Sequence, residues 1–179
     1  MQAITFNQAI KNFANFMDEV SDNHEPLIIT HENHKTVVLI SLDDFNAWQE
    51  TEYLTRSSAN AKDLLQAVKE INERSNFTKH TLIDEWLMIS FREQAWIDYL
   101  YWQQTDKQIL KRINLLIKDI QRNPFSGIGK PEPLKHQFSG FWSRRINDEH
   151  RLVYTFIETD LVIIQCRYHY DWTCKSGKL

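Results

Sequence analysis

Cysteine, glycine and proline are scarce in this 179-residue sequence, which holds two, four and four of them respectively. Cys166 and Cys174 form no paired metal or redox motif, so we expect reduced thiols, no metal site and no other cofactor. No repeat, low-complexity tract or linker rich in glycine, serine and proline divides the chain. HExxH, Walker and GxSxG motifs are also missing, which leaves metallopeptidase, nucleotide-binding and serine-hydrolase functions without support.

Long apolar runs are missing as well. No stretch approaches the roughly 18 apolar residues that a membrane span needs. The opening residues, MQAITFNQAIKNF, lack the basic-then-apolar pattern of a secretory signal. We therefore expect a cytoplasmic protein without a membrane partner. Hydrophobic residues make up 42% of the chain and charged residues 25%, which is typical of globular domains, and the length suffices for one domain or two small ones.

Charge divides the chain into two halves of opposite sign. Residues 1–85 hold 7 Lys and Arg against 14 Asp and Glu, a balance of −7, whereas residues 86–179 hold 14 against 10, a balance of +4. An acidic half joined to a basic half suggests that one covers the other. Chance differences between small domains give the same pattern, so charge alone leaves both interpretations open.

Hydrophobic periodicity predicts the elements of the first half. They are a strand, a helix, a hairpin and two further helices, over residues 3–6, 10–20, 27–40, 42 onwards and 58–74. Asn7 is the expected N-cap of the first helix, and Ser41 caps the helix that follows the hairpin. The polar residues 75–79 are expected to be loosely ordered.

The second half shows a different order of elements. The patterns predict a strand, two helices and three more strands, over residues 87–91, 93–104, 106–122, 141–146, 151–157 and 161–168. A broad apolar stripe between Ile109 and Ile120 indicates that the second helix faces the core. The short turns between the last three strands imply an antiparallel sheet.

The basic half contains side chains for cutting RNA without a metal. That reaction needs a base for the ribose 2′-hydroxyl, an acid for the leaving 5′-oxygen, and cations for the charged phosphate. The candidates are Lys130, Glu132, Lys135, Arg144, Arg145, Arg151, Arg167, Tyr168, His169 and Tyr170. Strand alternation predicts that Arg145 meets Arg151 across a hairpin, and that Arg167 and His169 share a face.

Each of these residues also has an ordinary structural interpretation. A lone acid in a loop, a histidine near a strand end and an arginine on the wet face of a strand are most often not catalytic. His136 and His150 have no partner that the sequence identifies. Spacing alone therefore leaves a nuclease as one hypothesis among others.

Several motifs of the basic half carry a closer resemblance. They are DYLYW at 98–102, KPEPLK at 130–135, SGFWSRRI at 139–146, EHRLVY at 149–154 and CRYHY at 166–170. Over residues 87–170 the chain closely resembles the YoeB toxins of the RelE/ParE superfamily. IIT at 28–30, VLISLDDFNA at 38–47 and the segment 52–61 make residues 1–85 similar to the Phd/YefM antitoxins, the usual partners of YoeB.

The double resemblance implies an α+β chain that fuses an antitoxin to its toxin. A Phd/YefM-like dimerisation and DNA-binding domain is expected over 1–55, a toxin-neutralising segment over 56–85, and a RelE-like α/β toxin domain with an antiparallel sheet and two helices over 86–170. Residues 171–179 would form a tail beyond the family's usual last residue and next to its catalytic site. The implied partners are the ribosome, mRNA, operator DNA and a second copy of the chain.

The resemblance also implies roles for individual residues. YoeB-like toxins cut mRNA in the ribosomal A site without a metal and leave a cyclic phosphate and a 5′-hydroxyl. Glu132 would be the general base, His169 the general acid, Arg151 the stabiliser of the phosphorane, Arg145 and Lys135 phosphate ligands, and Tyr170 a substrate-positioning residue. Ile10 and His31 stand where the antitoxin family carries DNA-contacting arginines. The remaining candidates Lys11, His31 and Lys35 therefore predict weak DNA binding.

The join between the halves predicts self-inhibition. Leu64, Leu65, Val68 and Ile71 form an apolar stripe without an evident partner in the first half. Packing it on the toxin half, in cis or in a swapped dimer, would bring the acids Glu70, Glu73, Asp84 and Glu85 to the basic site. The rival hypothesis is a non-enzymatic antitoxin, repressor or decoy whose toxin half is inactive.

Overall fold

The computed structural model describes residues 1–80 and 89–169. The chain divides into two compact units, Met1–Gln49 and Glu50–Leu179, and the division falls within one helix. The expectations for Asp84, Glu85, Tyr170 and the tail 171–179 lie outside the described residues. In the two described ranges, no helix has the length and apolar character that crossing a membrane requires.

The first unit is a small three-stranded sheet with helices. Its elements are β1 (Gln2–Thr5), α1 (Phe6–Lys11), α2 (Phe13–Asn23), β2 (Leu27–His31), β3 (His34–Leu39) and the beginning of α3 (Leu42–Thr55). β1 pairs in parallel with β2, and β2 pairs antiparallel with β3, which confirms the predicted strand and hairpin. A small core of Ile4, Ala9, Val20 and Leu27 holds the unit together.

The start of the first helix differs from the prediction. Asn7 is not the N-cap; Thr5 is, and its hydroxyl accepts a hydrogen bond from the Gln8 backbone while the Gln8 side chain accepts one from the Thr5 backbone. This reciprocal arrangement satisfies two backbone donors that a helix end otherwise leaves unpaired, which favours the earlier start. The predicted single helix is also wrong, because Asn12 separates α1 from α2.

The second unit is built on a six-stranded sheet. After α3 come α4 (Ser58–Glu73), β4 (Phe77–His80), β5 (Ile89–Arg92), α5 (Glu93–Thr105), α6 (Lys107–Arg122), β6 (Glu132–Pro133), a short 3-10 helix (His136–Phe138), β7 (Trp142–Arg145), β8 (Arg151–Ile157) and β9 (Asp160–Gln165). The strand order is β4-β5-β9-β8-β7-β6. The pairs among β7, β8 and β9 are antiparallel, as predicted. The short strand β6 adds a further antiparallel pair with β7, and β5 pairs in parallel with β9.

Two local expectations for this unit are wrong. Residues 77–80 are not loosely ordered but form the edge strand β4, because backbone pairing with β5 orders a segment that has little apolar pattern of its own. The last strand ends at Gln165, so Arg167 and His169 lie beyond it and strand alternation does not position them.

The sheet of this unit is covered on both faces. Along β8, Leu152 and Tyr154 join a core with α5 and α6, whereas the intervening Val153 joins a second core that contains Leu64 and Ala67 of α4. Alternate residues of a strand point to opposite faces, so the two cores lie on opposite sides. Helix α4 therefore provides the cover for one face of the sheet.

Candidate active site

Arg151 lies at the beginning of β8 and is only 4% exposed. It is the register partner of Arg145 across the β7–β8 hairpin, which confirms the predicted pairing, although Arg145 itself is exposed. The Arg151 Nη1 donates hydrogen bonds to the carbonyls of Asn147 (3.0 Å) and Asp148 (3.2 Å) in the hairpin turn. These bonds fix the direction of the guanidinium.

A carboxylate from α3 forms an ion pair with this guanidinium. Glu50 Oε1 accepts hydrogen bonds from Arg151 Nε and from the Ser143 hydroxyl, each at 2.7 Å. All three side chains are buried, and charge-assisted hydrogen bonds are strong where water is excluded. The sequence analysis did not identify Glu50 or Ser143; the only available signal was an acid on a helix in the acidic half of the chain.

Tyr53 lies one turn further along α3 and contacts the same guanidinium. Its ring centroid is 4.4 Å from Arg151 Cζ, within the range of a cation–π contact. Its hydroxyl donates to the Glu149 carbonyl at 2.7 Å, and its ring lies 5.3 Å from that of Tyr168. Burial raises the pKa of the Tyr53 hydroxyl, although the positive charge of Arg151 opposes the shift.

His169 is held by contacts to both its backbone and its ring. Its backbone nitrogen donates to Asn60 Oδ1 (3.0 Å) on α4, and its carbonyl accepts from the Ser57 hydroxyl (2.7 Å). Its Nε2 lies 3.3 Å from Oδ2 of Asp98, a carboxylate on α5 that is 1% exposed. Burial lowers the pKa of His169, but the hydrogen bond and charge of Asp98 outweigh that effect and the net pKa is raised.

Glu132 and Lys135 lie at the other edge of the site. Glu132, on β6, is the register partner of Ser143 on β7, so it neighbours the serine that binds Glu50. The backbone nitrogen of Lys135 donates to the Thr51 hydroxyl at 2.9 Å. The structure thus brings Arg151 and the Lys135 backbone against one short stretch of α3, with Glu132 paired to Ser143 beside them. The ring of His169 is turned towards Asp98.

One candidate, Arg144, and one residue without a predicted role, His150, serve the fold instead. Arg144 is wholly buried, where its guanidinium forms an ion pair with Asp119 and binds the carbonyls of Asn123, Ser126 and Ile128. Its guanidinium thereby anchors the loop that contains residues 123–128, and it is not available to bind RNA. His150, which had no predicted partner, accepts a hydrogen bond from the Tyr168 backbone nitrogen through Nδ1, and burial lowers its pKa.

The acids of α4 contact an arginine that the sequence analysis did not single out. Arg92 donates through Nε to Glu70 and through Nη1 to Asp63, both at 2.5 Å. The expectation that Glu70 and Glu73 lie near the RNA-binding arginines is therefore wrong: Glu70 binds Arg92, and Glu73 forms an exposed pair with Lys69. Leu64, Val68 and Ile71 pack as predicted, but Leu65 is exposed.

The DNA-binding candidates lie in the first unit. Lys11 ends α1 and Lys35 lies on β3, and both are exposed. His31, at the end of β2, contacts the rings of Phe6 and His34 at centroid distances of 5.1 and 4.5 Å, and its Nδ1 accepts from the Asn33 backbone.

Comparison with known families assigns both parts of the chain. Residues 91–170 match the YoeB-like toxin of bacterial type II toxin-antitoxin systems, and residues 1–74 match the antitoxin Phd_YefM of such systems. The chain belongs to both families. The resemblance stated from the sequence is therefore confirmed, and toxin half and antitoxin half are joined in one polypeptide.

Individual relatives match over nearly their whole length. Toxin YoeB of Synechocystis sp. is 67% identical over 85 residues, which are 48% of this chain and 99% of that protein. Toxin YoeB of Escherichia coli K12 is 62% identical over 84 residues, 47% of this chain and all of that protein. Antitoxin YefM of Shigella flexneri is 33% identical over 89 residues, 50% of this chain and 97% of that protein.

A solved structure of a YoeB-YefM complex from Staphylococcus aureus is also similar. It shares 52% sequence identity with this chain, covers 48% of it and 100% of the matched chain, and superimposes with a TM-score of 0.46. In the present chain, Glu50 and Tyr53 of the antitoxin half contact Arg151 of the toxin half.

Proposed function

We propose that the chain is a type II toxin–antitoxin in which residues 86–170 are a ribosome-dependent, metal-free mRNA endoribonuclease inhibited by residues 1–85. The observation that carries the proposal is the pairing of Arg151 with Glu50. Arg151 is the group expected to offset charge on the reacting phosphate, and an acid of the antitoxin half occupies it. The segment after residue 55 neutralises the toxin together with Glu50 and Tyr53, which lie just before it on α3. Residues 1–55 also serve dimerisation and weak DNA binding.

The reaction requires one proton to leave and another to arrive. Glu132 takes the proton of the ribose 2′-hydroxyl as its oxygen attacks the adjacent phosphorus, and His169 gives a proton to the departing 5′-oxygen. Arg151 offsets the charge of the phosphorane. Arg145 and Lys135 bind phosphate, and Tyr170 positions the substrate. The products are a 2′,3′-cyclic phosphate and a 5′-hydroxyl end, and no atom changes its oxidation state.

The contacts of His169 are consistent with both activity and inhibition. Asp98 raises its pKa, which favours the protonated ring that a general acid requires. Asn60 and Ser57 of the antitoxin half hold its backbone while the ring faces Asp98. Inhibition thus has two components. Glu50 pairs with Arg151, the residue that would stabilise the reacting phosphate, and α4 holds the general acid His169 away from the reacting centre.

Dimerisation through the antitoxin half has support in its surface. The first unit exposes many apolar side chains in the single chain, among them Phe6, Ile10, Phe13, Met17, Val37, Val38, Leu42 and Trp48. A unit of this size buries little apolar surface alone, and a second copy would cover more of it.

The test compares residues 86–170 with the whole chain. This segment is one residue longer than the 84-residue YoeB of Escherichia coli. We expect the segment to arrest growth and cleave mRNA on ribosomes in the presence of EDTA, and the whole chain to do neither. Within the segment, Glu132→Ala, Arg151→Ala and His169→Ala should each reduce cleavage by about 10²–10⁴-fold.

Lys111→Ala, an exposed change on α6, is the matched control and should leave cleavage unchanged. If circular dichroism shows that the segment is folded but the segment cannot cleave mRNA on ribosomes, the endoribonuclease hypothesis is refuted. The alternative of an inactive decoy is then supported. Full activity of His169→Ala would remove this residue from the mechanism.

A further inference from the structure

We propose that Ser143 is a phosphate-binding residue of the toxin site, and that Glu50 and Tyr53 occupy the places of a phosphate and its neighbouring base. The inference rests on the proposed nuclease function and identifies the substrate subsites within that site. The family resemblance assigns no role to Ser143. The residues to which it assigns roles are Glu132, Lys135, Arg145, Arg151, His169 and Tyr170.

The Glu50 carboxylate lies among hydrogen-bond donors that suit an anion. One oxygen, Oε1, accepts from a guanidinium nitrogen of Arg151 and from the hydroxyl of Ser143, and the serine is 0% exposed. A non-bridging phosphate oxygen is an anionic acceptor of the same kind and takes the same two donors. A hydroxyl and a guanidinium that converge on one anionic oxygen form a small anion site.

A third donor lies beside the first two. Thr51 follows Glu50 in the chain, and its hydroxyl accepts the backbone N–H of Lys135 at 2.9 Å. Backbone N–H groups are common ligands of phosphate oxygens. When α3 leaves, it releases Arg151 Nε and Ser143 Oγ from Glu50, and the Lys135 N–H from the adjacent Thr51.

The strand register places Ser143 next to the proposed base. Ser143 on β7 is paired directly with Glu132 on β6 and with Val153 on β8. Directly paired residues have their Cβ atoms about 4.5–5.5 Å apart on the same face of a sheet. A phosphate held by Ser143 therefore lies within side-chain reach of Glu132, as attack by the neighbouring 2′-oxygen requires.

Tyr53 lies where the base attached to that phosphate would bind. Residues three apart share one face of a helix, so Glu50 and Tyr53 enter the site together. The Tyr53 ring lies over the Arg151 guanidinium and against the Tyr168 ring. Unstacked RNA bases bind in this way, on an arginine plane and an aromatic ring. The antitoxin face thus presents an anion and a ring to the places that a nucleotide would fill.

The experiment uses the full chain and adenosine 3′-monophosphate as probe. Glu50→Ala empties the anion site, and Glu52→Ala, an exposed change two residues away, is the control. We expect calorimetry to detect saturable binding of the probe to Glu50→Ala and none to the wild type or Glu52→Ala. Adding Ser143→Ala should weaken binding by at least about tenfold, as expected for a lost hydrogen bond to a charged group.

Inorganic phosphate resolves the two subsites. In Glu50→Ala, where Tyr53 still fills the base's place, inorganic phosphate should bind about as tightly as the nucleotide. Adding Tyr53→Ala should favour the nucleotide, and Ser143→Ala should weaken both ligands by a similar factor. If Glu50→Ala does not fold, Glu50→Gln removes the charge at nearly constant volume and takes its place in the same titrations. Equal affinity with and without Ser143 would overturn the proposal.

Ribosomal mRNA cleavage by the same variants separates this inference from the proposed function. If the nucleotide binds in a way that depends on Ser143 but no variant cleaves mRNA, the anion site is supported and the nuclease function is refuted. Cleavage by Glu50→Ala that is unaffected by Ser143→Ala would preserve the nuclease and overturn the role of Ser143.

Discussion

Replacing Leu64 by alanine tests whether docking of α4 controls the toxin half. Leu64 is 0% exposed and lies in the core that α4 forms with Val153, Val162 and Ile164 of the sheet. Truncating a fully buried leucine costs about 2–5 kcal/mol, from lost transfer free energy and the cavity that remains. Most of that loss should fall on the contact between α4 and the sheet, because the toxin half keeps its other core intact.

The same free energy sets the population of released toxin. A loss of about 2 kcal/mol changes an equilibrium constant by roughly 30-fold, since 1.4 kcal/mol corresponds to a factor of ten. We therefore expect Leu64→Ala to increase mRNA cleavage by the full chain by about that factor or more. Leu65→Ala is the matched control, because its side chain is 43% exposed on the same helix.

Urea unfolding and ribosomal cleavage would be measured on both variants. If Leu64→Ala were destabilised by less than about 1 kcal/mol, well below the range for a buried leucine, the described burial would be wrong. If it lost the full 2–5 kcal/mol without any gain in cleavage, inhibition would not depend on α4 docking.

Four further predictions concern other contacts. Arg92→Leu should lower the free energy of unfolding by about 3–5 kcal/mol, because Asp63 and Glu70 lose their buried partner, whereas Arg74→Ala at an exposed pair should cost at most about 1 kcal/mol. The contact of His169 with Asp98 raises its folded pKa above 6.5, so its contribution to stability is complete below pH 6.5 and is lost as the pH rises through the folded pKa. NMR titration should show that shift disappear in Asp98→Asn, and an unchanged titration would exclude Asp98 as its cause. The chain should sediment as a dimer through residues 1–55 at tens of micromolar, and a monomer there would contradict the proposed interface. Operator DNA should bind weakly and with a shallow salt dependence, since the antitoxin resemblance leads us to expect arginines where Ile10 and His31 stand. Nanomolar binding at physiological salt would show that other residues carry the contact.

Local sequence patterns determined many of the secondary-structure elements of the chain. The apolar stripe of α6, the β-branched runs of β2 and β3 and the short turns around β8 each depend on neighbours a few residues apart. Such spacing predicts an element and its buried face directly. The motifs around Glu132 and Arg151 likewise identified the toxin family, because they are short and contiguous.

Pairing between specific partners decided what local patterns did not. The edge strand β4 has little apolar pattern and forms because β5 supplies its partner. Thr5 replaces Asn7 as a cap because two side chains bond reciprocally with the backbone. In both cases a specific hydrogen-bond partner outweighs local propensity, and propensity was all that the sequence pattern expressed.

The occupation of the site was decided by tertiary structure alone. Glu50 meets Arg151 across 101 positions of sequence and Ser143 across 93, and no periodicity links residues so far apart. The sequence determined that an acidic antitoxin segment accompanies a basic toxin domain. Only the packing of α4 on the sheet, and the burial of its neighbour α3 against Arg151, selected which acid meets which arginine, because desolvation makes that one pairing strong and leaves the exposed charges weakly coupled.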